Sequence, residues 1–582
     1  MLRTATLCTL FFLALSPTLS AQTNILSTNP VAEQILLGNY NPADYAASTV
    51  VADMASVSAG IHARVSPDSL KAYIIRMSRF GTRNTGADTL SATTGMGAAR
   101  RWVHEKFGEF SVQNEDRLVV SYLQFDQNIC GMGRHSNIFA VLPGTNPTKN
   151  GVILIEGHID SRCDVLCDVS CDAQGVEDNA TGTALVLELA RVMAQYSFEN
   201  TLVFVATIGE EQGLLGARAF ATYIQNKNIP LRAVLNNDVI GGIICGETSS
   251  PPSCPGMDHV DSTSVRLFSA GSANSAHKQL ARFIKLQYRE NILPDAAVPM
   301  NVRIMSPEDR SGRGGDHIPF REKGYPAMRF TSANEHGDAS NGPGYADRQH
   351  TSDDILGVDT DGDQVIDSFF VDFNYLARNT VINGNAAAVA ARNVPTPTDY
   401  SCLRSSAGLL DVDITDPANV GTYRIALRGV ALDWDTVYTL AGSTFGTFPA
   451  PTTGPLYVSV AAVDGEGAES LFSGEKLVFV TGTEAEPAEQ EAKNITLFQN
   501  RPNPFDEATW ISFWVNAVPA HREAQILITD LNGRPIQRMP VQVQQGLNEV
   551  LYTHGYGVRG TFSYALLLDG QAVDSRLMVF AN

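Results

Sequence analysis

The chain has 582 residues, which is too long for one ordinary domain and calls for about three or four. Hydrophobic residues make up 44% and charged residues 18%, a balance that excludes a disordered chain. The formal net charge of −20 excludes the basic surface that nucleic-acid binding needs, though acidity alone names no partner.

Residues 1–21 read as a secretory signal peptide. Arg3 supplies the positive start, Leu7 to Leu15 an apolar run, and Leu19-Ser20-Ala21 the small residues of a cleavage site. That run is too short to span a bilayer, and no later segment is long and apolar enough, so no transmembrane anchor is expected. Of the 8 cysteines, Cys8 leaves with the signal, which leaves an odd number. At least one thiol is therefore free or pairs between chains. Cys245 and Cys254, bracketing a Ser/Pro-rich loop, are the first candidate disulfide of an exported chain.

Residues 22–65 carry mixed helical patterns and no evident chemistry. Two amphipathic helices follow, SLKAYIIRMSRF and GAARRWVHEKFGEF, split by a Gly/Thr-rich turn. Strands are expected at LVVSYLQF, SNIFAVLPG and GVILIEGH, then a helix at TALVLELARVMAQY. The strand TLVFVATIG, the helix GARAFATYIQ and the strand AVLNNDVIG come next. A late strand, YPAMRFTS, and a helix from about Val371 to Arg392 close the region. This alternation predicts an α/β sandwich with a largely parallel core sheet. Composition shifts at Asn393-Val-Pro-Thr-Pro-Thr, and short regular strands over 395–482 predict a small β-sandwich. An acidic, Pro-containing linker (483–494) leads to a second β-rich module over 495–582.

Candidate metal ligands stand at the ends of the expected strands. His158 and Asp160 follow GVILIEG, Asp178 opens a helix, Glu210 and Glu211 follow TLVFVATIG, and Asp238 follows AVLNN; His350 comes much later. In open α/β sheets, ligands bind outside the carboxyl ends of the strands. Several carboxylates packed together cannot all stay ionised unless cations compensate them. Two histidines among them suit zinc, whereas an all-oxygen set would suit calcium or magnesium. Two metals about 3.5–4 Å apart, bridged by one carboxylate, would lower the pKa of a shared water towards neutrality. The Glu210-Glu211 pair can divide the remaining work, because neighbouring residues leave a strand in different directions.

The motifs GHIDS, GVEDNATG, GEEQGLLGARAFA, NNDVIG, GGDHIPFREKGYPA and HTSDD, spread over Ser66 to Arg392, resemble the co-catalytic zinc aminopeptidases of metallopeptidase clan MH. That group includes bacterial leucyl aminopeptidases and relatives of glutamate carboxypeptidase and glutaminyl cyclase. The resemblance implies a phosphorylase/hydrolase-like αβα peptidase domain over 66–394 with two Zn2+ per chain. His158 and Asp238 would hold one zinc, Glu211 and His350 the other, and Asp178 would bridge them. Glu210 would be the general base and Asp160 would orient His158. Peptides would be the substrates, shortened from the N-terminus. A carboxypeptidase, a dipeptidase, a glutaminyl cyclase or a non-catalytic scaffold of the transferrin-receptor kind would share the fold. EEQGLLGARAF favours hydrolysis over cyclisation.

Some features depart from that family. An aromatic residue often precedes the last His to stabilise the oxyanion; Gln349 stands there, which leaves Tyr345 or the zincs for that role. His336 rivals His350 as the last ligand, and Asp316 and His317 match a motif without receiving a ligand role. The insertion CDVLCDVSC carries Cys163, Cys167 and Cys171, whose spacing fits disulfides, one of them to Cys130, better than a zinc knuckle. Asp359, Asp361, Asp363 and Asp367 resemble the Ca2+ loops of thrombospondin-type repeats. The module over 395–482 resembles a fibronectin type III domain in its strand pattern. LFQNRPNPF, ILITDLNGRPI, QGLNEV, GTFSYALLLDGQ and SRLMVF resemble the C-terminal sorting domain of type IX secretion substrates. That resemblance implies export through the periplasm of a Gram-negative bacterium to the surface or medium, with the secretion machinery as partner.

Overall fold

The computed structural model describes residues 22–580 apart from 52, 150, 245–258, 310–312, 335–347, 393, 406, 430, 453–455, 479, 482–493, 506–507, 531–533 and 555–559. The signal peptide, the linker over 483–493, Cys245, Cys254, His336 and Tyr345 lie outside the described residues.

A nine-stranded sheet organises the first two-thirds of the chain. Its strands are β1 (Thr23–Ser27), β2 (Val119–Ile129), β3 (Met132–Leu142), β4 (Val152–His158), β5 (Thr201–Thr207), β6 (Leu231–Asn237), β7 (Ser264–Ser269), β8 (Asn301–Ile304) and β9 (Ala327–Ser332). They run in the order β1-β2-β3-β5-β4-β6-β9-β7-β8. The centre, β5-β4-β6-β9, is parallel; β1, β2 and β3 join antiparallel on one side, and on the other β7 pairs antiparallel with β9 and parallel with the edge strand β8. The sheet is thus mixed, where the sequence pattern predicted a largely parallel one. The reason lies in the edges: β2 and β3 form a hairpin, and β1 comes from the segment over 22–65 that carried only helical patterns.

The central strands are continuous apolar runs because both their faces are covered. Every residue of β4 and β5 is buried. Helices α1 (Pro30–Leu36), α2 (Met54–Arg64), α3 (Pro67–Ser78), α4 (Gly95–Gln113), α5 (Thr181–Met193), α6 (Leu215–Asn226), α7 (Ala276–Asn291), α8 (His317–Glu322) and α9 (Phe373–Ala390) supply that cover. On one face α9 packs on α2, α3, α5 and α7, and on the other α6 packs on α8. The expected sequence elements omit β7, β8 and α7. In β7 a buried Arg266 breaks the apolar run, its Nε donating to the Ser332 carbonyl at 2.8 Å. α7 is amphipathic but polar overall, and its buried face includes Lys278 and Arg282, charges that a sequence reading assigns to solvent. No described helix is long and apolar enough to cross a membrane.

Close approach at the sheet centre depends on two glycines. A Cβ at Gly182 would stand 2.2 Å from the Asn237 carbonyl oxygen, and one at Gly157 2.7 Å from the Gly182 carbonyl carbon. Without side chains there, the start of α5 settles directly on the ends of β4 and β6.

Past Val394, strands Asp399–Ser405, Leu409–Thr415, Phe445–Pro449 and Val480–Thr481 make one sheet. Thr422–Arg428, Thr436–Ala441, Leu456–Val463 and Lys476–Val478 make a second. This module shares one continuous apolar core with the αβα domain. Its Glu475 accepts from Arg282 of α7 at 3.0 Å and from Arg428 at 2.6 Å, all three side chains being buried. Breaking such a pair would strand a buried charge, so the contact holds the two parts in one arrangement. The C-terminal module forms a three-stranded and a four-stranded sheet around an apolar core of its own.

Candidate metal centre

Strand register brings the expected ligands to one edge. His158, the last residue of β4, lies beside Thr207, the last of β5, and Asp238 follows directly on β6. Glu210 and Glu211 follow β5 after Gly209, whose φ of +74° lets the chain turn sharply. Asp178 sits in the turn Val176–Ala180 that opens α5, and His350 adopts a φ of 60° in its loop.

Asp178 is the centre of the arrangement. Its Oδ1 lies 3.1 Å from His158 Nε2 and its Oδ2 3.0 Å from His350 Nε2. His158 Nε2 is also 3.3 Å from Asp238 Oδ1, and His350 Nε2 is 3.2 Å from Glu211 Oε2. Single donor atoms of His158, Asp178 and Glu211, and of His158, Glu210 and Asp238, gather within 4.8 Å of one another. All of the expected ligand residues are therefore brought together, with Glu210 among them.

The residues fit two zinc ions on their donor chemistry: two imidazoles, three carboxylates, and a Glu211 Oε1 that is buried without a hydrogen-bond partner. Electrostatics agrees. Burial pushes the pKa of Asp178 up, but the two imidazoles on its oxygens outweigh burial and hold it well below the usual range. Burial, reinforced by Asp238, Glu211 and Asp316 and opposed by His158, pushes Glu210 well above the carboxylate range. A cation nearby would draw it back down. Asp316, whose Oδ2 accepts from the Thr207 hydroxyl, is pushed up to about 7, mainly by burial. His317 is buried and is lowered to about 4 by that burial.

Asp160, expected to orient His158, meets its ring through the main chain. The His158 ring donates from Nδ1 to the Asp160 backbone carbonyl at 3.1 Å, while the carboxylate stands 3.6 Å away. The carboxylate instead accepts the backbone N–H groups of Glu210 and Glu211, at 3.3 and 3.2 Å, and the Thr85 hydroxyl at 3.2 Å. One residue thus orients a ligand through its main chain and fixes the Glu-Glu turn through its side chain.

Sequence reasoning missed four further supports. Asp354, inside the HTSDD motif, accepts the N–H groups of Glu177 and Asp178 at 2.8 and 3.0 Å, tying the Asp178 turn to the His350 loop. Arg83, fully buried, donates to the carbonyls of Ile159, Gln174 and Gly175. Arg329 lies 3.4 Å from Asp238 Oδ2 and 2.7 Å from Asp309. Arg162 donates from Nε to Glu211 Oε2 at 2.8 Å. Only Asp354 carried a signal, as the second acid of a quoted motif.

The remaining candidates fall outside the centre. Gln349 is buried and accepts from Arg313 at 3.1 Å. Asp359, Asp361 and Asp367 gather as exposed carboxylates, while Asp363 is not of that trio and caps the Val365 N–H at 2.8 Å. The insertion forms disulfides Cys130–Cys167 and Cys163–Cys171, with no zinc knuckle, and Cys402 is a free thiol.

On this fold, such a donor set is that of a metal-dependent hydrolase. Residues 137–370 match the model of peptidase family M28. A probable zinc metalloprotease of Leptosphaeria maculans is 32% identical over 55% of this chain and 73% of its own. A probable zinc metalloprotease of Pyricularia oryzae is 32% identical over 59% of this chain and 69% of its own. Among solved structures, the LapA aminopeptidase of Legionella pneumophila matches with 18% identity and a TM-score of 0.42, covering 58% of this chain and 75% of that one. The chain belongs to peptidase family M28, and so to the zinc metallopeptidases. The two relatives named are fungal, so they add nothing to the Gram-negative host implied by the C-terminal motifs.

Proposed function

We propose that the protein is a secreted two-zinc aminopeptidase. The observation that carries this reading is Asp178, whose two oxygens face two different imidazoles at 3.1 and 3.0 Å, the arrangement a bridging ligand requires. His158 and Asp238 would hold one ion and Glu211 and His350 the other. Bound there, zinc supplies Lewis acidity to the scissile carbonyl and acidifies water. Glu210 accepts the proton of the attacking water and returns it to the departing amine. Asp160 holds the Glu210 backbone so that this carboxylate stays beside His158 and Asp238.

Purified protein offered leucyl-nitroanilide, free-amine peptides and their N-acetylated forms is expected to cleave only those with a free amine. It should contain two zinc equivalents, lose activity to a chelator and regain it with zinc. Equal cleavage of blocked peptides would replace the aminopeptidase reading with a carboxypeptidase or endopeptidase one.

Export is the second half of the proposal, supported by the signal-like start and the C-terminal motifs, with 395–482 as a fibronectin III-like module. Removal of everything after residue 482 spares the core that the middle module shares with the αβα domain. In a Gram-negative host with type IX machinery, that truncated enzyme is expected to stay active and accumulate in the periplasm. Activity measured in periplasm and culture fluid checks this, and normal appearance in the fluid would rule out a sorting role.

A further inference from the structure

The loop between α3 and α4 sends three consecutive residues to the segments that carry the metal ligands, and each grips a different one. Arg83, Asn84 and Thr85 are all buried, and they lie outside residues 137–370, the stretch that matches the family model. Arg83 donates from Nε to the Ile159 carbonyl at 2.8 Å, from Nη2 to that of Gly175 at 2.9 Å, and from Nη1 to that of Gln174. Gln174 and Gly175 lead directly into the turn that holds Asp178. The Asn84 amide donates to the Leu166 carbonyl at 2.9 Å, within the insertion that the two disulfides brace. The Thr85 hydroxyl donates to Asp160 Oδ2 at 3.2 Å. Main-chain groups close the contact: the Arg83 N–H donates to the Ser161 hydroxyl at 3.2 Å, and the Ser161 N–H to the Arg83 carbonyl at 3.4 Å.

The Asp160 carboxylate carries this grip to the chemistry. The terminal torsion of an aspartate is broad, so its plane is set by hydrogen bonds more than by a rotamer well. Oδ1 accepts the Glu210 N–H at 3.3 Å, and Oδ2 accepts both the Glu211 N–H at 3.2 Å and the Thr85 hydroxyl. Thr85 thus helps to fix the plane on which the Glu-Glu turn rests. Arg83 does the equivalent for the Asp178 turn. Its rigid planar fork meets three carbonyls in set directions, which the point charge of a lysine cannot match.

We propose that residues 83–85 form one positioning element for the metal centre; this rests on the two-zinc peptidase reading above. Thr85 holds the general base Glu210 in place through Asp160. Arg83 holds the bridging ligand Asp178 through its turn, and Asn84 anchors the element to the braced insertion.

The test uses the full chain carrying Thr85→Val, Thr85→Ser or Arg83→Lys. Valine keeps the shape of threonine and removes the hydroxyl. Thr85→Val should lower kcat about 10-fold, the low end for partners of metal-site residues, with KM unchanged and both zinc equivalents present. Thr85→Ser, which keeps a hydroxyl, should restore most of that loss. Arg83→Lys should instead weaken zinc binding by about 10- to 100-fold, measured by competition with a chelator. Amide hydrogen exchange on the metal-free protein gives a readout without turnover. Thr85→Val should speed exchange at Glu210 and Glu211 and spare Glu177 and Asp178, and Arg83→Lys should do the reverse. Wild-type kcat and exchange in Thr85→Val, no rescue by Thr85→Ser, wild-type zinc affinity in Arg83→Lys, or faster exchange at all four amides in both variants would each overturn the assignment. The expected exchange pattern in a protein that holds no zinc and cleaves no peptide would keep the positioning element and remove the two-zinc reading instead.

Discussion

Glu210→Gln is expected to keep both zinc equivalents and lose about 10²–10⁴-fold in kcat, the range for acid–base residues. Gln preserves the shape and leaves the backbone N–H that Asp160 holds at 3.3 Å, but it cannot accept a proton. Glu211→Gln should behave in the opposite order. Its carboxylate stands 3.2 Å from the His350 ring, so the loss falls first on zinc affinity and only then on turnover. Zinc content and kcat measured on the two variants in parallel separate the roles. Identical zinc content and identical kcat losses would mean that the two glutamates are not divided as proposed.

Asp178 variants should produce the largest metal effect. Both imidazoles depend on the same carboxylate, one on each oxygen, so Asp178→Ala removes the shared ligand of both ions. It is expected to hold less than one zinc equivalent after dialysis and to have no measurable peptidase activity. Asp178→Asn keeps a single oxygen and should retain at most one equivalent. Two equivalents in Asp178→Asn at wild-type affinity would sink the bridging assignment and leave each ion its own ligands.

The sequence made the ligand set legible for a physical reason. Four of the candidate residues stand just at or after a strand end, and a buried strand with a following turn is a strong local signal, whereas Asp178 and His350 sit in a helix-opening turn and a loop. His158, Glu210, Glu211 and Asp238 could be placed this way without knowing which strands were neighbours. The supports were not legible, because they are made by contacts across the fold. Arg83 gathers carbonyls from Ile159, Gln174 and Gly175, and nothing near Arg83 in the chain marks it as buried. The same cause hid β7 and α7, whose buried Arg266, Lys278 and Arg282 read as solvent-facing charges. Asp160 is a third case. The residue was found, but its task is divided between main chain and side chain, which a residue type cannot reveal.

The ion pairs and apolar core that join the middle module to the αβα domain bear on durability. For the exported enzyme proposed above, working life would be set by how fast it first unfolds. Because Arg282, Glu475 and Arg428 bind the two parts across a shared core, global unfolding of the αβα domain and of the middle module is coupled. The C-terminal module has an apolar core of its own, but its Trp510 and Glu549 line a pocket together with Arg428 and Tyr457 of the middle module, so taking it away would uncover part of that surface. The half-life of the enzyme is thus a property of the unit that the middle module and the αβα domain make together.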